Sequence, residues 1–216
     1  MKSLHLTFFL LLSALILNSC KNEPKTTSAE VTNTPAAKAK TDGDISTLEV
    51  LDHDIDITPE GSKLFLEGFF KNSLVKGAIT INNGSLHIKD GLITKGAFNL
   101  DMNSIEMVAN VDESMITFLK SKDVFDNQRF TNGSFIIEEC TKAINDQQAT
   151  HLIKGTLELM GKSIPFNTKA RIDYRPKFIT ILTPGIKIKA SELGIKMADP
   201  SQDNLYFSLT LNGQVL

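Results

Sequence analysis

The chain has 216 residues, with 23 Lys and Arg against 25 Asp and Glu, a formal net charge of -2, 13 Phe, no Trp and 2 Cys. A balance this close to neutral offers no basic field to nucleic acid or to anionic lipid head groups, and so few cysteines build no disulfide framework. The phenylalanines point to a large apolar interior but specify no ligand.

In chain order, Met1 and Lys2 precede "LHLTFFLLLSALIL". This apolar core of about 14 residues matches the central region of an export signal and falls short of the roughly 20 that a spanning helix needs. It runs into Leu17, Asn18, Ser19 and Cys20, which resemble the bacterial lipobox, where a signal peptidase cuts before a cysteine carrying diacylglycerol; Asn18 is the less usual filler. Residues 1–19 therefore read as a lipoprotein signal peptide and Cys20 as the lipid attachment site. The mature protein is expected in the bacterial cell envelope, as a periplasmic or outer-membrane lipoprotein held by its N-terminal lipid. Residues 20–45, with the run "KNEPKTTSAEVTNTPAAKAKTDGD", have no aromatic residue and balanced charges, the composition of a disordered tether. Cys140, at the end of "SFIIEEC", has no partner left and reads as a small, semi-buried residue.

Residues 46–216 read as one folded domain, large enough for a sizeable core. "SKLFLEGFF", "VKGAITINN", "GSLHIKDG", "LITKGAFNLDM", "GSFIIEEC", "HLIKGTLELMG", "KSIPFNTKARI", "KFITILTP", "GIKIKAS" and "LYFSLTLNG" are short, often alternating runs separated by Asn-Gly, Asp-Gly, Met-Gly or Pro-Gly. That spacing predicts an antiparallel sandwich or barrel. Alternation sorts the faces: Phe98, Leu100 and Met102 oppose Asn99 and Asp101, and Leu157 and Leu159 oppose Thr156 and Glu158. One helix interrupts the pattern, in "VDESMITFLKSKDVFD". There Met115, Phe118 and Leu119 share a face, acids stand at the start, and Lys120 and Lys122 at the end.

Catalytic candidates are few. "LDHDID" gathers Asp52, His53, Asp54 and Asp56, but in a strand His53 would face away from the three acids, so the cluster reads as a solvated lead into the first strand and not as a metal site. His87 and His151 lie in separate strands without zinc-ligand spacing, and no nucleophile elbow, phosphate loop or dinucleotide fingerprint is present. The expectation is a protein that is not an enzyme, with no catalytic residues, no metal and no cofactor.

Three blocks carry a family resemblance. "GSLHIKDGLITKGAFNLDMNSIE", "LKSKDVFDNQRFTNGSFIIEE" and "IKGTLELMGKSIPFNTKARI" resemble, in order, the conserved runs of the YceI-like family of exported bacterial proteins, and together span nearly the whole folded part. The resemblance implies an all-β fold, an extended antiparallel lipocalin-like β-barrel with one short inserted helix, carrying polyisoprenoids or related amphiphiles. Three positions depart from the family pattern: Leu66 stands where a Trp is frequent, Val75 where a His is, and Ala190, beside Lys189, where many members have Arg. These departures put carry-over of head-group recognition in doubt and leave the apolar framework.

On this reading Phe98, Leu100, Phe135, Ile137, Leu157 and Leu159 line an apolar lumen, with Phe118 on the helix and Phe125 in the following turn at one end. The expected partners are an isoprenoid or fatty-acid-like amphiphile in the lumen and a membrane reached through lipidated Cys20, with no nucleic acid. A long chain leaving water gains about 25 cal/mol for each square ångström buried, without any directional contact. The alternative is a tethered structural or interaction module whose barrel is filled and holds no ligand.

Overall fold

The structure, a computed structural model, describes residues 52–216. The signal peptide and tether assigned above, with Cys20, lie outside the described residues.

The alternating runs form nine strands: β1 (His53–Phe70), β2 (Ser73–Lys89), β3 (Leu92–Met107), β4 (Asn132–Lys142), β5 (His151–Leu159), β6 (Lys162–Arg175), β7 (Phe178–Leu182), β8 (Ile186–Lys189) and β9 (Asn204–Val215). All neighbours are antiparallel and the order is β1-β2-β3-β4-β5-β6-β7-β9-β8. A further β1–β9 ladder, pairing Leu64 with Leu209 and Leu66 with Phe207, closes the sheet on itself. Strands β7 and β8 lie in tandem along one edge of β9, interrupted at Pro184 and Gly185, so the wall is an eight-strand antiparallel barrel. Closure removes most exposed edge and turns one face of every strand inward. Because all these ladders lie within residues 53–215, the barrel needs no other segment to complete its sheet.

Local chemistry sets the turns. Lys71 and Asn72, Asp90 and Gly91, and Met160 and Gly161 all take positive φ, between 48° and 73°, which is what a two-residue hairpin turn matched to strand twist requires. The Asn82-Asn83-Gly84 run behaves differently from the turn expected of it. β2 passes through unbroken, with a register shift between Ile81 and Asn83, and merges two runs that the sequence reading kept apart. Asn99 Nδ2 donates to Asn83 Oδ1 at 2.6 Å across the irregularity. Gly84 lies against Phe98, where an added Cβ would approach the ring carbon Cδ1 to 2.6 Å. Here the glycine makes room for an aromatic ring, and the bulge substitutes for a turn.

The single helix α1 (Glu113–Lys120) packs beside β3. Its N-cap is Asp112, whose carboxylate accepts from the Ser114 and Met115 amides and whose pKa is lowered by hydrogen bonds from Ser114 and Met115. Met115 and Leu119 are buried and Phe118 half-buried. The Ser121 amide returns to the Phe118 carbonyl, ending the helix, and the following segment drives Val124 and Phe125 into the core. The helix, residues 121–131, the β1–β2 turn and residues 190–203 lie at one end of the barrel, called here the helix end; the β2–β3 and β6–β7 turns and the β4–β5 connection lie at the other.

Candidate functional site

Strand alternation brings the predicted lumen residues together. Cross-strand register aligns Gly84, Phe98, Phe135, Leu157 and Ile164 in one row around five strands, and Leu86, Gly96, Ile137, Gly155 and Phe166 in the next. Large side chains thus stand beside glycines, and the rings lie over the space the glycines leave. Phe135 contacts both neighbouring aromatics, with ring centroids 4.5 Å from Phe166 and 6.2 Å from Phe98, both tilted. Leu100 and Leu159 flank Gly133 from the two neighbouring strands.

Phe125 is buried in the core, closing the helix end of the interior. Phe118 is not a lumen residue in the strict sense. It stands half-buried at the rim of the helix end, with Lys71 Nζ 4.1 Å above its ring centroid. The sequence reading omitted Ile164 and Phe166, although alternation in "SIPFNTKA" marks both; Phe166 is the ring closest to Phe135.

The inner wall is almost wholly buried. Phe135, Leu157, Leu100, Phe125, Ile153 and Ile181 all have relative exposure of 0%. Ile164, Phe166 and Thr168, three successive inner side chains of β6, keep 7–8% exposure. At the helix end the core surfaces in a depression of about 150 Å³ lined by Phe69, Phe70, Phe118, Val124 and residues Ile195–Ala198, with Lys71 and Lys196 at its rim. The buried members Phe70, Val124 and Ile195 belong to the same apolar cluster as the lumen row.

The family model for the YceI-like domain matches residues 55–213 of this chain, in the order of the strands just described. The chain belongs to the YceI-like family. Three solved structures share the fold of this YceI-like domain. Burkholderia cenocepacia BcnA is 14% identical, with TM-score 0.54, over 72% of this chain and 98% of its own. A polyisoprenoid binding domain from Saccharophagus degradans, implicated in plant cell wall breakdown, is 11% identical, with TM-score 0.55, over 75% of this chain and 98% of its own. A variant of the Campylobacter jejuni YCEI protein is 17% identical, with TM-score 0.52, over 67% and 87%. None of the curated proteins matches the chain significantly.

In this YceI-like domain the three departures, Leu66, Val75 and Ala190, are all buried at 2% exposure or less. They extend the apolar interior towards the helix end. The largely buried titratable groups His151, Tyr174 and Cys140 lie instead towards the opposite end. His151 Nε2 lies 3.1 Å from the Gly91 carbonyl, and Tyr174 Oη donates to the same oxygen at 3.0 Å. With Nε2 protonated towards that carbonyl, Nδ1 of the neutral ring accepts from Thr150 Oγ1 at 2.8 Å. Burial, with Lys142 acting in the same sense, lowers the His151 pKa, and burial raises those of Tyr174 and of Cys140, a free buried thiol. Together these contacts pin the β2–β3 turn over that end of the barrel.

"LDHDID" enters β1, with Asp54 and Asp56 exposed on the outer face and His53 half-buried. A contact that sequence reasoning missed completes the group: His87 of β2 places Nδ1 2.9 Å from Asp54 and Nε2 3.1 Å from Asp52. The register Asp54↔His87 creates it, and no spacing within one strand could reveal it. No set of three or more His, Cys, Asp or Glu groups arranged for a metal occurs among the described residues.

Proposed function

We propose that this YceI-like domain is a non-catalytic carrier of a long-chain isoprenoid or related amphiphilic lipid, held at a bacterial envelope membrane by lipid on Cys20. The observation that carries the reading is the composition of the inner wall. The rows through Phe98, Phe135 and Leu157 and through Ile137 and Phe166 present aliphatic and aromatic surface without an ionised group, and the cluster runs on to Phe70, Val124 and Ile195 at the helix end. Such a wall gains free energy from any long apolar chain in proportion to area. The polyisoprenoid binding domain among the related structures supports the same assignment. His151 is buried against the Gly91 carbonyl and Thr150, which supports a structural role for that ring. Cys20 and the tether would keep the barrel within reach of a bilayer, where its ligand is soluble.

The filled, ligand-free barrel has its own supporting observation, the absence of accessible surface on Phe135, Leu157 and Leu100. Under the carrier reading a ligand must displace side chains to enter; under the alternative none enters. Organic extraction of the purified barrel domain followed by mass spectrometry separates the two. A stoichiometric isoprenoid, quinone or fatty-acid derivative is expected. Repeated empty preparations that also take up no fluorescent long-chain lipid would refute carriage.

A further inference from the structure

The helix-end depression combines an apolar floor with a basic rim. Phe70, Val124 and Ile195 form the floor and are buried; Phe69, Phe118 and Met197 flank it; Lys71 and Lys196 are exposed at the edge. Among the described residues no carboxylate lines it. Asp112 lies within electrostatic reach of Lys71, but its carboxylate is turned to the helix start, where it takes hydrogen bonds from the Ser114 amide, the Ser114 hydroxyl and the Met115 amide; Asp199 accepts from the Ser201 amide. Glu67 pairs with Lys76 at 3.0 Å. Lys71 is held over the Phe118 ring, at the boundary between the aliphatic lining and water, so its ammonium faces any group that emerges beside that ring.

From this geometry we infer that the helix-end mouth selects amphiphiles with an anionic head, carboxylate or phosphate, whose head meets Lys71 and Lys196 while the tail passes over Phe118 into the barrel. The inference rests on the carrier reading and narrows it from any long-chain lipid to one charge class. A depression of about 150 Å³ is smaller than the few hundred Å³ of a pocket that encloses a whole ligand. It therefore suits a head and the first part of a tail, with the remaining length buried in the contiguous core. Two ammonium groups brought to about 4 Å of one anion at a solvated rim make the pair worth about tenfold in affinity after screening.

The test uses three probes with one tail, hexadecanol, hexadecanoate and hexadecyl phosphate, competing below their aggregation limits with a neutral fluorescent lipid bound to the barrel domain at pH 7.5. The wild type is expected to prefer at least one anionic probe about tenfold over hexadecanol, and which anion leads identifies a carboxylate or a phosphate ligand. The K71Q/K196Q variant should bring the anionic probes to the level of hexadecanol, and raising the salt should do the same in part. Lys95→Gln, on the outer face of β3, should keep the preference. Equal affinity of the wild type for all three probes, or a preference that survives K71Q/K196Q, overturns the charge selection and leaves carriage standing. Failure of the wild type to take up the fluorescent lipid or any probe overturns both.

Discussion

Phe135→Ala asks whether the barrel interior is filled in solution. Phe135 has no accessible surface, faces Phe98 and Leu157 across its two neighbouring strands, and stacks on Phe166 at 4.5 Å. Losing the transfer free energy of a buried phenyl ring costs about 2 kcal/mol. In a packed interior the walls relax only in part, so the cavity and the lost ring contacts raise the loss to about 4 kcal/mol. For a domain of this size that corresponds to a fall in Tm of about 12 °C, against about 6 °C if Phe135 lines an open lumen. Guanidinium unfolding of the barrel domain, followed by far-UV circular dichroism, measures the loss directly. Benzene provides an independent readout: it should stabilise the variant, whose new cavity is apolar, and leave the wild type unchanged. A loss of 2 kcal/mol or less, or equal stabilisation of both proteins by benzene, would refute the filled interior.

Gly155→Ala should be among the most damaging single-atom additions, because the new Cβ would overlap the Ile136 carbonyl oxygen and lie 2.7 Å from the Phe166 ring. A loss of about 3 kcal/mol or outright failure to fold is expected by the same unfolding assay, and a neutral result would show that the β4–β5 spacing is wrong. For His151 the folded pKa lies below the unfolded value of 6.5, so the unfolded chain binds the extra proton; stability is full above that value and falls as the pH drops below it. His151→Gln should flatten this part of the stability curve, measured between pH 7.5 and pH 5, while the loss linked to Asp112, Asp146, Asp199 and Asp203, whose pKa values lie below 3.8, persists at lower pH. If the slope between pH 7.5 and pH 5 is the same in both proteins, His151 is not the titrating group. Cys20→Ser should move the protein from the membrane fraction to the soluble envelope fraction in cell fractionation; a variant still bound to membranes contradicts lipid anchoring at that residue.

Much of this protein was legible in the order of its residues because a strand's side chains alternate strictly. That rule alone places Phe98, Leu100, Phe135, Ile137, Leu157 and Leu159 on one face, and the structure has all of them buried. The Asp-Gly and Met-Gly turns and the acid-capped helix are equally local, set by backbone sterics and by the orphan amides of a helix start. Asn83-Gly84 carries the same local signal as a turn, yet β2 runs through it, because the space beside Phe98 from the next strand decides what that glycine is for.

What only the tertiary structure decided depends on which strands become neighbours. Closure through β1 and β9, the tandem placement of β7 and β8, the stacking of Phe166 on Phe135, and the meeting of His87 with Asp52 and Asp54 all join residues distant in sequence. The basic rim at the helix end is of the same kind: Lys71 and Lys196 are 125 positions apart and reach one depression because a turn and a loop converge on the same barrel end. Periodicity within a strand reports which face a side chain takes. It holds no information on register or closure, which follow from packing summed over the whole sheet.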